Sequence, residues 1–114
     1  MLGSVGSYAE KIVVPADRLV KVPAALDVPK AAALMVQGIT AYYLSHLTFA
    51  LRPGHAVLVH AAAGGVGFLL TQMAKSAGAV VITTVSTPEK ARVALKAGAD
   101  DVIIYTKTSL TKKF

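Results

Sequence analysis

AVLVHAAAGGVGFLLTQMAKSAG, running from Ala56 to Gly78, is the stretch whose reading decides the fold. It opens on Val57-Leu58-Val59, an apolar and partly β-branched run suited to a buried strand, and passes at once into Ala62-Ala63-Gly64-Gly65-Val66-Gly67. An apolar helical pattern continues through Leu69, Leu70, Met73 and Ala77. Strand, glycine turn and helix in that order form the phosphate-binding corner of a dinucleotide fold. Gly64 keeps Cβ atoms away so that backbone can approach a diphosphate, and Gly67 lets the helix pack close to the strand. The helix start adds unpaired N–H groups and the positive end of a macrodipole. Ala62 stands where the usual motif has its first glycine, giving A-x-G-x-x-G, and an ordinary tight strand-to-helix turn is the plain alternative.

The pattern repeats downstream. Gly78 stops the helix, and Ala79-Val80-Val81-Ile82-Thr83-Thr84-Val85 reads as a second buried strand. Ser86-Thr87-Pro88-Glu89 opens another helix, either as a capping box from Ser86 to Glu89 or with Thr87 as N-cap and Pro88 at the first helical position. Gly98 ends it, and Asp101-Val102-Ile103-Ile104-Tyr105 is a third strand. The fold class is therefore α/β, a βαβαβ unit that makes up the first half of a Rossmann doubly wound parallel sheet.

Upstream, Ala9–Val14 and Leu19–Val22 read as two short strands broken by prolines. Two strands cannot bury their own faces, so this segment reads as the tail of a β-domain. Asp27-Val28-Pro29-Lys30 is expected to begin a helix, with Asp27 as N-cap and Pro29 in the first turn, that Ala31–Val36 continue and Gly38 ends, and Thr40 to cap the next helix, Ala41–Leu51. Tyr43, Leu44, Leu47 and Leu51 then share a face, and one of Tyr42 and Tyr43 is expected in the core. Arg52-Pro53-Gly54 is the turn into the first strand.

Composition bounds the function. Apolar residues make up 54% of the 114 residues, above the usual share of about 45–50%. Such an excess fits a parallel sheet buried on both faces, or surface meant for further protein. No apolar run approaches the ~20 residues of a spanning helix, and the N-terminus has no signal-peptide core. The chain has no cysteine, which rules out disulfides and thiolate metal sites and suits a cytoplasmic location. Net charge is +6, and six of the twelve basic residues (Lys90, Arg92, Lys96, Lys107, Lys112, Lys113) fall in the last quarter. RNA binding is permitted by that bias, but no reading module supports it. An anionic small ligand accounts for part of the charge and a solvated face for most.

In NAD-binding members of this fold a carboxylate lies ~20 residues past the glycine turn and bonds the ribose 2′-hydroxyl. Here that count reaches Val85-Ser86-Thr87, with Lys90 and Arg92 just beyond. Hydroxyls and cations in place of an acid favour NADP over NAD. A solvated Lys90 offset by Glu89 is the bland alternative. His60, beside the turn, either touches the cofactor or packs, while His46 and His55 read as helix-surface and turn residues. Tyr105 ends the third strand where ligands of this fold bind, as an adenine flank or a buried aromatic. There is no nucleophile–base pair, no paired carboxylates and no metal cluster, so the catalytic residues stay unassigned.

The chain resembles the zinc-free quinone oxidoreductase (zeta-crystallin-like) branch of the medium-chain dehydrogenase/reductase superfamily. The residues that carry this are Gly6-Ser7-Tyr8-Ala9-Glu10, Ala31-Ala32-Ala33, Gln37-Gly38-Ile39-Thr40-Ala41-Tyr42-Tyr43-Leu44 and Arg52-Pro53-Gly54. Val57 to Gly67, then Thr84-Val85-Ser86-Thr87-x-x-Lys90 and Gly98-Ala99-Asp100, complete the set. The resemblance implies NADP(H) bound by Thr40 near the nicotinamide, by Gly65 and Val66 at the pyrophosphate, by Ser86, Thr87 and Lys90 at the adenosine phosphate, and by Tyr105 at the adenine. It implies reduction of quinones or enone-type carbonyls by hydride or single electrons without a metal, and a homodimer in full-length members. It also implies a division into 1–26, the end of a GroES-like β-domain; 27–105, a partial Rossmann domain; and 106–114, a basic tail. A full member is longer, so the expectation is a truncated central portion, and a non-catalytic nucleotide-binding or partner-docking module is the alternative.

Overall fold

The structure, a computed structural model, describes residues 6–107, so most of the expected basic tail lies outside the described residues. Three strands form one parallel sheet in the order β1 (Ala56–His60), β2 (Val80–Val85), β3 (Asp101–Ile104). Ala56 to His60 stand beside Val80 to Thr84, and Ile82 to Val85 beside Asp101 to Ile104. Helix α2 (Gly65–Ser76) crosses from β1 to β2, and α3 (Pro88–Lys96) from β2 to β3. This is the βαβαβ unit the sequence implies. Parallel strands need such crossovers, and the apolar stripes of α2 and α3 cover the sheet. The core gathers Val59, Val81, Val85, Ala62, Ala74, Ala79, Ala94 and Ala99.

Both crossover helices end alike. Gly78 and Gly98 take positive φ (78° and 105°), and the next N–H reaches back to the last turn, Ala79 to Ala74 O and Ala99 to Ala94 O. Helix α3 starts by the second of the two readings: Thr87 Oγ1 accepts from Lys90 N at 3.3 Å, with Pro88 in the first turn.

Asp100, just before β3, ties that segment to α2 and β2. Its carboxylate accepts from Val81 N at 2.7 Å and from Lys75 Nζ at 2.8 and 2.9 Å. The Lys75 hydrogen bond first, and the Val81 amide second, hold the Asp100 carboxyl below its ordinary value of 3.8. A depressed folded-state pKa contributes stability above the unfolded value, and that contribution is lost as pH falls through the folded value. Asp100→Asn is therefore expected to lower the thermal midpoint at about pH 7 and to match the unmutated chain at about pH 2. A gap that persists unchanged in acid would show that the carboxylate charge is not what matters.

Upstream the structure departs from expectation. Gly38 does not end a helix and Thr40 does not cap one. Helix α1 runs unbroken over Val28–Tyr42 and continues as a π-helical turn over Tyr43–Thr48. Asp27 occupies the N-cap position without a side-chain cap bond. Packing of α1 on α2 overrides the small propensity cost of a mid-helix glycine. Thr40 Oγ1 instead donates to Val36 O at 2.7 Å, and Ser45 Oγ to Ala41 O at 2.7 Å. Tyr42 and Tyr43 are both about half exposed, Leu44 and Leu47 are exposed too, and Leu51 alone of the expected face packs on the core. The expected strands at 9–14 and 19–22 are not formed: these residues are irregular, mostly exposed, and interrupted by a 3₁₀ turn at Ala16–Arg18. A ladder needs a partner strand, and none stands beside them among the described residues.

Candidate nucleotide site

At the C-terminal end of the sheet the chain leaves β1 through Ala61, which holds a positive φ of 53°. An alanine in that region is strained by about 1–2 kcal/mol, and the strain aims Ala61 O at Gly64 N (2.8 Å). The bend tucks the start of α2 against the strand end. A Cβ on Gly67 would lie 2.5 Å from Ala61 O and 2.9 Å from Ala62 Cα, so only glycine fits. At Gly64 the same carbonyl would stand 3.2 Å from a Cβ. Gly64 also occupies the N-cap of α2 with no side chain to cap it, leaving the first N–H groups of the helix without an intrahelical partner.

Beside this turn lies a cleft of about 90 Å³ lined by Ala61, Ala63, Gly64, Val85, Ser86, Lys90 and Tyr105. Lys90 Nζ donates to Ser86 Oγ at 3.1 Å. The one ion pair among the described residues is Lys75–Asp100, so the Lys90 ammonium has no carboxylate partner there. Glu89, next to it in sequence, is held below its usual range by its own backbone N–H and then by the Thr87 hydroxyl. Tyr105 is half exposed, with its N–H bonded to Val85 O at 3.1 Å. Thr106 Oγ1 donates to Ser86 O at 2.8 Å, pinning the segment after β3 to the end of β2.

Of the residues singled out from sequence, Gly64, Ser86, Lys90 and Tyr105 meet in this one cleft, and Gly65, Val66 and Gly67 form the adjoining first turn of α2. Thr87 does not line the cleft; its hydroxyl caps α3. Thr40 does not line it either, since it lies on α1. His60 stays near the turn, but its Nδ1 pairs with Thr84 Oγ1 at 2.9 Å across the sheet. His46 stacks on Tyr42, and His55 Nδ1 accepts from Arg52 N in the turn, as a surface and a turn residue do. The strained Ala61 and the Thr106 pin were missed. Alanine carries no signal for left-handed backbone, and a threonine past a strand none for its partner. No group of three metal-ligating side chains occurs among the described residues. A larger hollow, about 610 Å³, runs between residues 18–26 and α1 and shares no lining residue with the cleft.

Comparison with known proteins points the same way. Residues 65–114 match the family described as Zinc-binding dehydrogenase. A quinone oxidoreductase of Pseudomonas aeruginosa is 43% identical over 111 residues, 97% of this chain and 34% of that protein. The crystal structure of Pseudomonas syringae quinone oxidoreductase superposes with a TM-score of 0.92 at 45% identity, over 98% of this chain and 34% of that one. The Escherichia coli quinone oxidoreductase complexed with NADPH gives 0.84 at 45% identity, over 88% of this chain and 31% of its own. The chain thus spans about a third of the length of these relatives.

Proposed function

The chain belongs to the quinone oxidoreductase branch of the medium-chain dehydrogenase/reductase superfamily, and on that premise we propose that it carries the NADP(H)-holding core of an NADPH-dependent quinone oxidoreductase. The observation that carries this reading is Lys90, bonded to Ser86 and free of any carboxylate among the described residues, in the cleft beside the glycine turn. The residues fit the group. Gly64 and Gly67 leave room that a Cβ would fill, and the uncapped first N–H groups of α2 are donors for a diphosphate. Ser86 and Lys90 receive a 2′-phosphate by hydroxyl and ammonium, where an acid would repel it. Tyr105 flanks the adenine, with Thr87 holding the start of α3 behind it. Thr40, whose hydroxyl donates to Val36 O within α1, is assigned to the nicotinamide side by the family resemblance.

When bound, NADPH supplies the hydride or single electrons that reduce a quinone or an enone-type carbonyl compound. The chain's own part is to grip the phosphates and orient the coenzyme. A dimer, a cytoplasmic location and residues 1–26 as the end of a β-domain belong to this reading. Exposed Leu58, Val80, Leu47 and Val36 support burial against further protein. No helix among the described residues is long and apolar enough to cross a membrane. The test is a titration with 2′,5′-ADP and 5′-AMP, with NADPH oxidation by phenanthrenequinone followed at the reduced nicotinamide band. Tighter binding of 2′,5′-ADP is expected, and equal or absent binding overturns the reading. Binding without turnover would leave a nucleotide-binding module.

A further inference from the structure

Resting on that cofactor reading, we propose that Gln37 is an additional binding residue, donating from α1 to the nicotinamide-side phosphate of the diphosphate. Its side chain lies across the first residue of α2. A Cβ built on Gly65 would meet Gln37 Cγ at 2.8 Å, Nε2 at 3.3 Å and Cδ at 3.4 Å. Gly65 is therefore bare because a second helix reaches over it, a reason distinct from the close approach that empties Gly67. The Gln37 carboxamide is half-buried and makes no hydrogen bond to the described residues.

The Nε2 donor of Gln37 stands beside the first N–H groups of α2, which have no intrahelical acceptor. An anion between them satisfies all of them together. The flank matters too. Helix α1 packs on α2, whereas α3, which carries Lys90, packs mainly on β3 and β2 and touches α2 less. Gln37 is absent from the lining of the Ser86–Lys90 cleft. A ligand anchored there by its 2′-phosphate passes the helix start before it reaches Gln37, so the second phosphate, not the first, comes within its range. Thr40 follows three residues later on the same face of α1, in line with a ligand continuing that way.

The test compares NADPH with 2′,5′-ADP, which ends at the first phosphate, on the full chain. Gln37→Ala is expected to weaken NADPH about tenfold, the effect of losing a hydrogen bond to a charged group, and to leave 2′,5′-ADP within about twofold. Gln37→Glu, nearly the same shape but negatively charged, is expected to weaken NADPH more than alanine does. Equal losses for both ligands, no loss for either, or wild-type affinity in the glutamate variant would each overturn the assignment. An unmutated chain that binds neither ligand would overturn the cofactor reading, and this inference with it. Normal 2′,5′-ADP binding with an unaltered NADPH affinity in Gln37→Ala removes this inference alone.

Discussion

Gly67→Ala is expected to dismantle the turn and to abolish measurable nucleotide binding. The added methyl meets Ala61 O at 2.5 Å, Ala61 C at 2.9 Å and Ala62 Cα at 2.9 Å, all of them backbone. None is the yielding end of a side chain, so α2 must lift from β1. Overpacking of this kind costs about 1–3 kcal/mol, and three backbone clashes put Gly67→Ala near the upper end. Lifting α2 also re-aims the N–H groups that would face a diphosphate, so stability and affinity fall together. Gly38→Ala is the matched control. Its nearest neighbour is Leu34 Cβ at 4.0 Å, in ordinary helical backbone. There the same methyl is expected to stabilise by about 0.5–1 kcal/mol. Urea unfolding of both variants checks the opposed signs, and a tolerated Gly67→Ala would mean that the helix start is not wedged against the strand.

The second large effect is on coenzyme choice. Lys90→Ala is expected to reduce the preference for 2′,5′-ADP over 5′-AMP by about tenfold, the lower end for a charge-assisted bond because Lys90 is exposed. The affinity for 5′-AMP should hardly change. The unmutated preference should shrink as salt is raised, since an exposed ammonium is screened, and the variant's should stay flat. If Lys90→Ala weakened both nucleotides equally, the residue would be supporting α3, not reading the 2′-phosphate.

Much of this site could be read from the chain alone because its parts are local. Strand, glycine turn and helix follow one another within Ala56–Ser76, and Ser86 and Lys90 lie four residues apart, one turn along the start of α3. Hydrophobic period, turn glycines and the missing carboxylate are all short-range signals, and they were enough for the βαβαβ order and for four of the cleft's residues. The errors came where local preference competes with packing. Gly38 and Thr40 look like a helix break, yet α1 continues through both because one face of it is held on α2. Extended residues before Pro23 look like strands, yet a strand is a property of two segments, and pairing is not written in either one.

What the amino-acid order determined by itself was the fold class, the parallel crossovers and the cation beside the turn. Only the tertiary structure decided that Ala61 takes left-handed backbone, that Thr106 closes on Ser86, and that Gln37 lies across Gly65, 28 positions away (65 − 37). The first set depends on periodicity and on residues adjacent along the chain. The second depends on which surfaces meet once α1, α2 and the sheet are packed, and no short window of sequence encodes that meeting.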